Sequence, residues 1–205
     1  MNAELAVSSG EAVFSPTRRR RKDVVRAAGR LFAESGYHGT SMRDLGEALG
    51  LLGSSLYSHI GSKNELLEEI VSDGVALCLD CSAKVRAEGG TPEVQLRKLI
   101  VGHVQLVVDN LDTWVTFVNE YRFLPDTQRR RVIELRDAYQ ETFRVILSEG
   151  IASGAFRADL NVHLVATHIL SALNAVARWY RVGGSQGAHE VGESIYSLVA
   201  RGIAR

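Results

Sequence analysis

A chain of 205 residues can bury an ample core without disulfides or metals, and its 45% apolar and 23% charged residues are the balance of an ordinary globular protein. No apolar run approaches the ~18–20 residues that span a bilayer. Residues 1–16 do not read as a signal peptide either, because the basic cluster follows rather than precedes any apolar stretch; membrane roles are excluded and a cytoplasmic setting is expected.

In chain order, residues 1–17 read as a disordered arm. Arg18, Arg19, Arg20, Arg21 and Lys22 are consecutive. Alone, such a run is a solvated basic arm, but here it precedes a helix-turn-helix pattern and points to phosphate contact. The balance of 24 basic and 24 acidic residues does not oppose this, since a local cationic patch makes its own field. Residues 19–35 place Val24, Val25, Ala28, Leu31 and Phe32 at helical spacing, and Gly36 can close that helix in a left-handed conformation. Thr40 or Ser41 can cap a second short helix with Met42, Leu45 and Leu49 inward, stopped by Gly50. A tight turn through Leu51 and Leu52 leads into a third short helix at roughly 53–59, ended by Gly61. Ser62 with Glu65 forms a capping box that opens a long fourth helix to about Arg86.

Gly89, Gly90, Thr91 and Pro92 are a break, with Pro92 at the first position of the next helix. Further helices are expected at about 92–109, 112–123, 127–152, 162–181 and 188–204, separated by Pro125, Gly154 and the Gly183–Gly184 pair. The fold class is therefore all-α: an N-terminal three-helix helix-turn-helix domain (18–67), then a larger helical bundle (68–205), about nine helices in all.

Three short helices with a tight turn between the second and third can place one helix in the major groove. Leu56 and Ile60 can pack inward, whereas Gly53, Ser54, Ser55, Tyr57, Ser58 and His59 are small or polar and can approach DNA. Ala27-Ala28-Gly29-Arg30-Leu31-Phe32, Gly36-Tyr37-His38-Gly39-Thr40-Ser41, Leu45, Gly50, Leu56-Tyr57-Ser58-His59 and Ser62-Lys63-Asn64-Glu65-Leu66-Leu67 together resemble the TetR signature across roughly 24–67. The resemblance implies that Thr40 and Ser41 contact phosphate, that Tyr57 and His59 meet the DNA backbone, that Lys63 binds phosphate, and that Gly53, Ser54 and Ser55 face the groove. Gly46, Ile60 and Leu52 depart from the usual Ala, Phe and Ser. No Arg or Asn stands on the third helix for bidentate readout. Arg43 is the candidate for a guanine edge, Leu52 for thymine methyls, and Met42 joins the set at the start of helix two.

Past residue 70 no metal cluster, phosphate loop or nucleophile elbow occurs, so neither enzyme activity nor a cofactor is expected. Cys78 and Cys81 share one helix face; two small core residues or a redox pair both fit. The family resemblance implies a dimerising, ligand-binding bundle. Val165, Ala166, Ile169, Leu173, Val176, Ile195, Leu198 and Val199 line the last two helices as a homodimer interface would. Candidate effector contacts are His103, Trp114, Phe117, Asn119, Glu120, Tyr121, Arg122, Arg136, Tyr139, Phe143, Asn174, Arg178 and Trp179, where polar groups interleave with aromatics. Asn119–Leu124, Arg136–Tyr139 and Gly150–Arg157 resemble a TetR subgroup that senses acyl-CoA thioesters, with Arg129, Arg130 and Arg131 offered to the CoA phosphates. The expected partners are operator DNA, a small effector and a second copy of the chain. A multidrug-type repressor, with Glu120 or Glu141 in its pocket, and a helical ligand-binding protein or enzyme with a vestigial DNA motif are the alternatives.

Overall fold

The computed structural model describes residues 16–50 and 61–205, the first five by backbone alone. Within them the chain forms eight α-helices and no strand beyond one isolated bridge. They are α1 (Pro16–Ser35), α2 (Met42–Leu49), α3 (Lys63–Glu88), α4 (Pro92–Asp109), α5 (Leu111–Glu120), α6 (Asp126–Ala152), α7 (Val162–Trp179) and α8 (Ala188–Ile203), with a 3₁₀ turn at Tyr121–Phe123. The expected third short helix, with Leu52, Gly53, Ser54, Ser55, Tyr57 and His59, lies outside the described residues.

Local chemistry explains most of the boundaries. Helix α1 is already present at Pro16, the first described residue and inside the expected arm, where proline's fixed φ is compatible with a helix's first turn. Gly36 (φ 75°) and Gly50 (φ 63°) take the left-handed conformation that closes α1 and α2. Ser62 accepts from the Glu65 amide at 3.2 Å, but Glu65 does not complete the box; its carboxylate lies over Gly61, where a Cβ would stand 2.4 Å from it. The helix expected over 112–123 ends at Glu120. Leu124 must be extended before Pro125, so the intervening turn tightens to 3₁₀. At the end of α6, a Cβ on Gly150 would stand 2.0 Å from the Phe156 ring; the glycine lets that buried ring fold back across the helix.

Helix α3 is shared. Its buried face (Leu66, Leu67, Ile70, Val71, Val75, Cys78) meets α1 at one end and α4, α5 and α6 further along. Helix α1 also packs on α5, where Thr116 Oγ1 donates to the Gly29 carbonyl at 2.9 Å. The N-terminal helices are therefore bolted to the larger bundle through buried groups. Among the described residues no helix is long and apolar enough to cross a membrane.

Candidate functional sites

The N-terminal site is built around the turn from α1 to α2. Ser41 caps α2 reciprocally: its hydroxyl accepts from the Asp44 amide at 3.2 Å, and the Asp44 carboxylate accepts from the Ser41 amide at 2.7 Å. Those hydrogen bonds hold the Asp44 carboxyl below its usual range. Thr40 is only 1% exposed, and its hydroxyl donates to the carbonyls of Gly36 (3.0 Å) and Leu31 (3.2 Å). Its side chain closes the turn and is buried there, where the expectation was a phosphate contact from that hydroxyl. Met42, also expected at DNA, packs half-buried against the core because α2 turns that face inward. Ser41 is exposed. Arg43 is exposed as well and donates to Glu47 one turn on, at 2.9 Å.

The basic run divides in the same way. The Arg21 guanidinium binds the Glu69 carboxylate of α3 through Nη2 (2.6 Å) and Nε (2.9 Å), so it braces α1 against α3. Lys22 is exposed. The side chains of Arg18, Arg19 and Arg20 lie outside the described residues. Lys63 donates from Nζ to the carbonyls of Tyr37 and Thr40, both at 2.8 Å, and its ammonium sits 4.4 Å over the Tyr37 ring. Tyr37 in turn donates to Asn64 Oδ1. Phe123, on the 3₁₀ turn, stacks on Tyr37 (centroids 6.0 Å apart) and meets His38 edge-on at 4.3 Å.

The second site is a cavity of about 330 Å³ enclosed by α3, α4, α5, α6, α7 and the 3₁₀ turn. Seven of the expected contacts line it: His103, Trp114, Phe117, Tyr121, Arg136, Tyr139 and Asn174. The others do not. Phe143 is buried one layer behind, edge-on to Tyr139 at 5.4 Å. Asn119 and Glu120 are half-buried off the walls, and Arg122 is exposed with its guanidinium over the Phe123 ring at 4.9 Å. Arg178 and Trp179 are exposed, because the inner stripe of α7 runs through Ala166, Leu173 and Ala177 and turns them outward. The walls also include Ile133, Asp137, Gln140, Thr167, Leu170 and Ser171, which sequence reasoning missed. A signal existed: 133, 136, 137 and 140 form one stripe at helical spacing, and 167, 170, 171 and 174 another.

Polarity inside the cavity is unevenly satisfied. The Trp114 indole N–H donates to Asn174 Oδ1 at 3.1 Å. Gln140 donates to Thr167 Oγ1 at 2.9 Å, and Ser171 donates to the Thr167 carbonyl at 2.8 Å. His103 is fully buried, with Nδ1 3.0 Å from the Tyr139 hydroxyl; Nε2 has no hydrogen-bond partner of ordinary geometry among the described residues. Burial pushes the imidazole pKa down to about 3, and a hydrogen-bonding approach of the Asn174 side chain acts the other way. Burial likewise raises Tyr139, so the ring pair is neutral near pH 7. The Arg136 guanidinium lies over Tyr121 (4.8 Å) and Phe117 (5.6 Å). Both thiols are free; burial pushes Cys78 up to about 12 and raises Cys81, which disfavours the thiolates a redox pair needs. No group of three or more potential metal ligands gathers among the described residues.

A helix-turn-helix start bolted to a helical bundle with an internal cavity is the architecture of a ligand-responsive regulator. Residues 24–70 match the family of bacterial regulatory proteins called tetR, and residues 89–203 match the tetracyclin repressor-like C-terminal domain. The chain belongs to the TetR family. It is similar to the HTH-type transcriptional repressor KstR2 of Mycolicibacterium smegmatis, 30% identical over 187 residues that cover 91% of each chain. It also superposes on the ketosteroid transcriptional regulator KstR2 of Mycobacterium tuberculosis with a TM-score of 0.86, at 27% identity over 91% of this chain and 95% of that one. AibR in complex with isovaleryl coenzyme A and operator DNA shares the fold, with a TM-score of 0.79 at 21% identity over 87% of this chain and 97% of that one. The chain is a TetR-type transcriptional repressor, a regulator rather than an enzyme.

Proposed function

We propose that this repressor holds a palindromic operator as a homodimer and lets go when an acyl-CoA thioester places its acyl group in the cavity. One observation carries the reading: a single 3₁₀ turn bears Tyr121 in the cavity wall and Phe123 on the Tyr37–His38 turn that leads into α2. A ligand that displaces Tyr121 therefore displaces a ring stacked on the DNA-reading half. Helix α3 offers a second path, since Val75 and Cys78 line the cavity and Lys63 holds the same turn.

Size and charge support the effector class. At about 330 Å³ the cavity is at the small end of ligand pockets, on the scale of an acyl group, with the nucleotide of a CoA ester left toward solvent. Arg130 lies one helical turn before Ile133 on the cavity stripe of α6 and is exposed, so it is the basic residue best placed for the phosphates. Arg129 is engaged by Asp126 at 2.5 Å. Neither Glu120 nor Glu141 lines the wall, which carries one basic and one acidic side chain, Arg136 and Asp137. The fold accommodates isovaleryl coenzyme A and operator DNA together in AibR. For the dimer, Leu164 (50% exposed) and Leu198 (75% exposed) stand on α7 and α8, where two copies would form a four-helix bundle.

A mobility shift tests the reading, using DNA upstream of the protein's own gene at moderate salt with and without a panel of acyl-CoA esters. Saturable binding released by one ester class is the expected result, with a change of about 5–150-fold in operator affinity. Specific binding that no ester alters overturns the effector. Phe123→Ala is expected to keep ester binding and lose most of the release; unchanged release would remove the 3₁₀ turn from the coupling.

A further inference from the structure

Among the described residues, the effector cavity has one fully buried side-chain atom without a hydrogen-bond partner of ordinary geometry. Three buried side-chain atoms lack a partner among the described residues, and of these only His103 Nε2 belongs to a cavity wall; Gln128 Oε1 and Arg144 Nε do not. A buried polar group without a partner is costly and uncommon, and in a cavity it marks where a ligand atom belongs.

The proton can be placed on that nitrogen. Tyr139 Oη stands 3.0 Å from Nδ1. A phenol is a stronger acid than a neutral imidazole N–H, and imidazole nitrogen a stronger base than phenol oxygen, so the hydroxyl donates to Nδ1. The ring hydrogen then sits on Nε2, which becomes a donor. Beside it, the orientation of Asn174 is set by Trp114. An indole N–H can only donate, so the atom it meets at 3.1 Å is Oδ1, and the amide N–H₂ is left for the cavity. Gln140, Thr167 and Ser171 are already joined through Thr167, Trp114 lies edge-on to His103 at 5.0 Å, and the other walls include Phe117 and Leu170 with Arg136 and Asp137.

Two such donors match one oxygen with two lone pairs. We infer that the end of the effector that enters the cavity carries a carbonyl oxygen, received by His103 Nε2–H and the Asn174 amide. This deepens the acyl-CoA reading and rests on it. The repressor then answers to acyl groups that carry such an oxygen and discriminates against plain hydrocarbon chains, which would leave both donors without it.

The test is calorimetric titration of the full chain with two esters that differ only in that oxygen, 4-oxocyclohexanecarbonyl-CoA and cyclohexanecarbonyl-CoA. The oxo ester is expected to bind about tenfold to a hundredfold more tightly, the scale of one or two satisfied buried donors. His103→Leu is expected to abolish the preference while still binding the deoxy ester. His103→Gln, which keeps an N–H near the Nε2 position, is expected to retain part of it. Equal affinities on the unmodified protein overturn the carbonyl proposal and leave the acyl-CoA effector standing; that comparison needs no variant to fold. A preference that survives His103→Leu places the oxygen elsewhere and overturns the assignment to His103. If neither ester binds, the acyl-CoA reading falls and takes this inference with it.

Discussion

Two aromatic clusters in this repressor use nearly the same residue types for opposite ends. At the junction, Phe32, Tyr37, His38 and Phe123 meet with centroids 4.3 to 6.0 Å apart. Around the cavity, His103, Trp114, Phe117, Tyr121 and Tyr139 meet at 5.0 to 6.5 Å. The junction's polar atoms find partners inside the protein: Tyr37 on Asn64, Thr40 on Gly36, and Lys63 on two carbonyls. In the cavity, His103 Nε2 has no partner of ordinary geometry among the described residues, and the Arg136 guanidinium lies over ring faces. Rings therefore act as glue where the polar complement is internal and as a receptor where it is left for a ligand.

The largest expected effect breaks the glue. Phe32 is 1% exposed, and Phe32→Ala should cost about 3–5 kcal/mol in denaturant unfolding, because the close-packed junction cannot collapse around the loss. Tyr121→Ala, half-buried against space already open, should cost about 1–2 kcal/mol and change ester affinity instead. Equal destabilisation by the two would dissolve the distinction between the clusters.

The junction was legible in sequence because its residues are bound to local rules. Val24, Ala28 and Phe32 follow helical periodicity, Gly36 and Gly50 are stops, and Ser41 and Ser62 are caps; each acts within one or two turns of itself. The resemblance gave the order of these elements and assigned Thr40 and Lys63 to phosphate; in the fold Thr40 closes the turn it stands on, and Lys63 reaches that turn from the start of α3. The cavity was half legible. Aromatic interleaving picked out Trp114, Phe117, Tyr121 and Tyr139, but helix rotation decided the rest: Arg178 and Trp179 have the right chemistry on the wrong side of α7, while Thr167 and Ser171 have unremarkable chemistry on the right side. Nor does local sequence reveal that His103 has Tyr139 on one nitrogen and nothing on the other, since that pairing spans α4 and α6.

The unanswered histidine gives the second prediction. Its folded pKa, about 3, lies below the unfolded value near 6.5. Above pH 6.5 the ring is neutral in both states and contributes nothing. As pH falls from 6.5 toward 3, the unfolded chain takes up a proton that the folded chain cannot, and stability drops by about 1.4 kcal/mol per pH unit. His103→Gln should remove that slope, so the difference in unfolding free energy between variant and parent should shift in the variant's favour between pH 6.5 and 4.5. Parallel curves would mean the ring is protonated or solvated in the fold, and the donor assignment would lose its base.

A smaller effect separates glue from DNA contact at one residue. Lys63→Met keeps an apolar stem over the Tyr37 ring but deletes two hydrogen bonds from a charged donor, leaving the Tyr37 and Thr40 carbonyls short of a partner. Such bonds contribute about 1.5–3 kcal/mol at best, and less here because the side chain is only half-buried. Operator affinity should fall as the turn before α2 loosens. The salt dependence decides the cause. A lysine that neutralises a phosphate releases counterions, and its loss makes the slope of log K against log salt shallower by about 0.9 per lysine, hence about 1.8 for a dimer. An ammonium held on two carbonyls leaves that slope unchanged while the affinity drops, which is the outcome expected for Lys63. A shallower slope would place it on DNA as well, and the junction would then read the operator directly rather than only holding α2 in position.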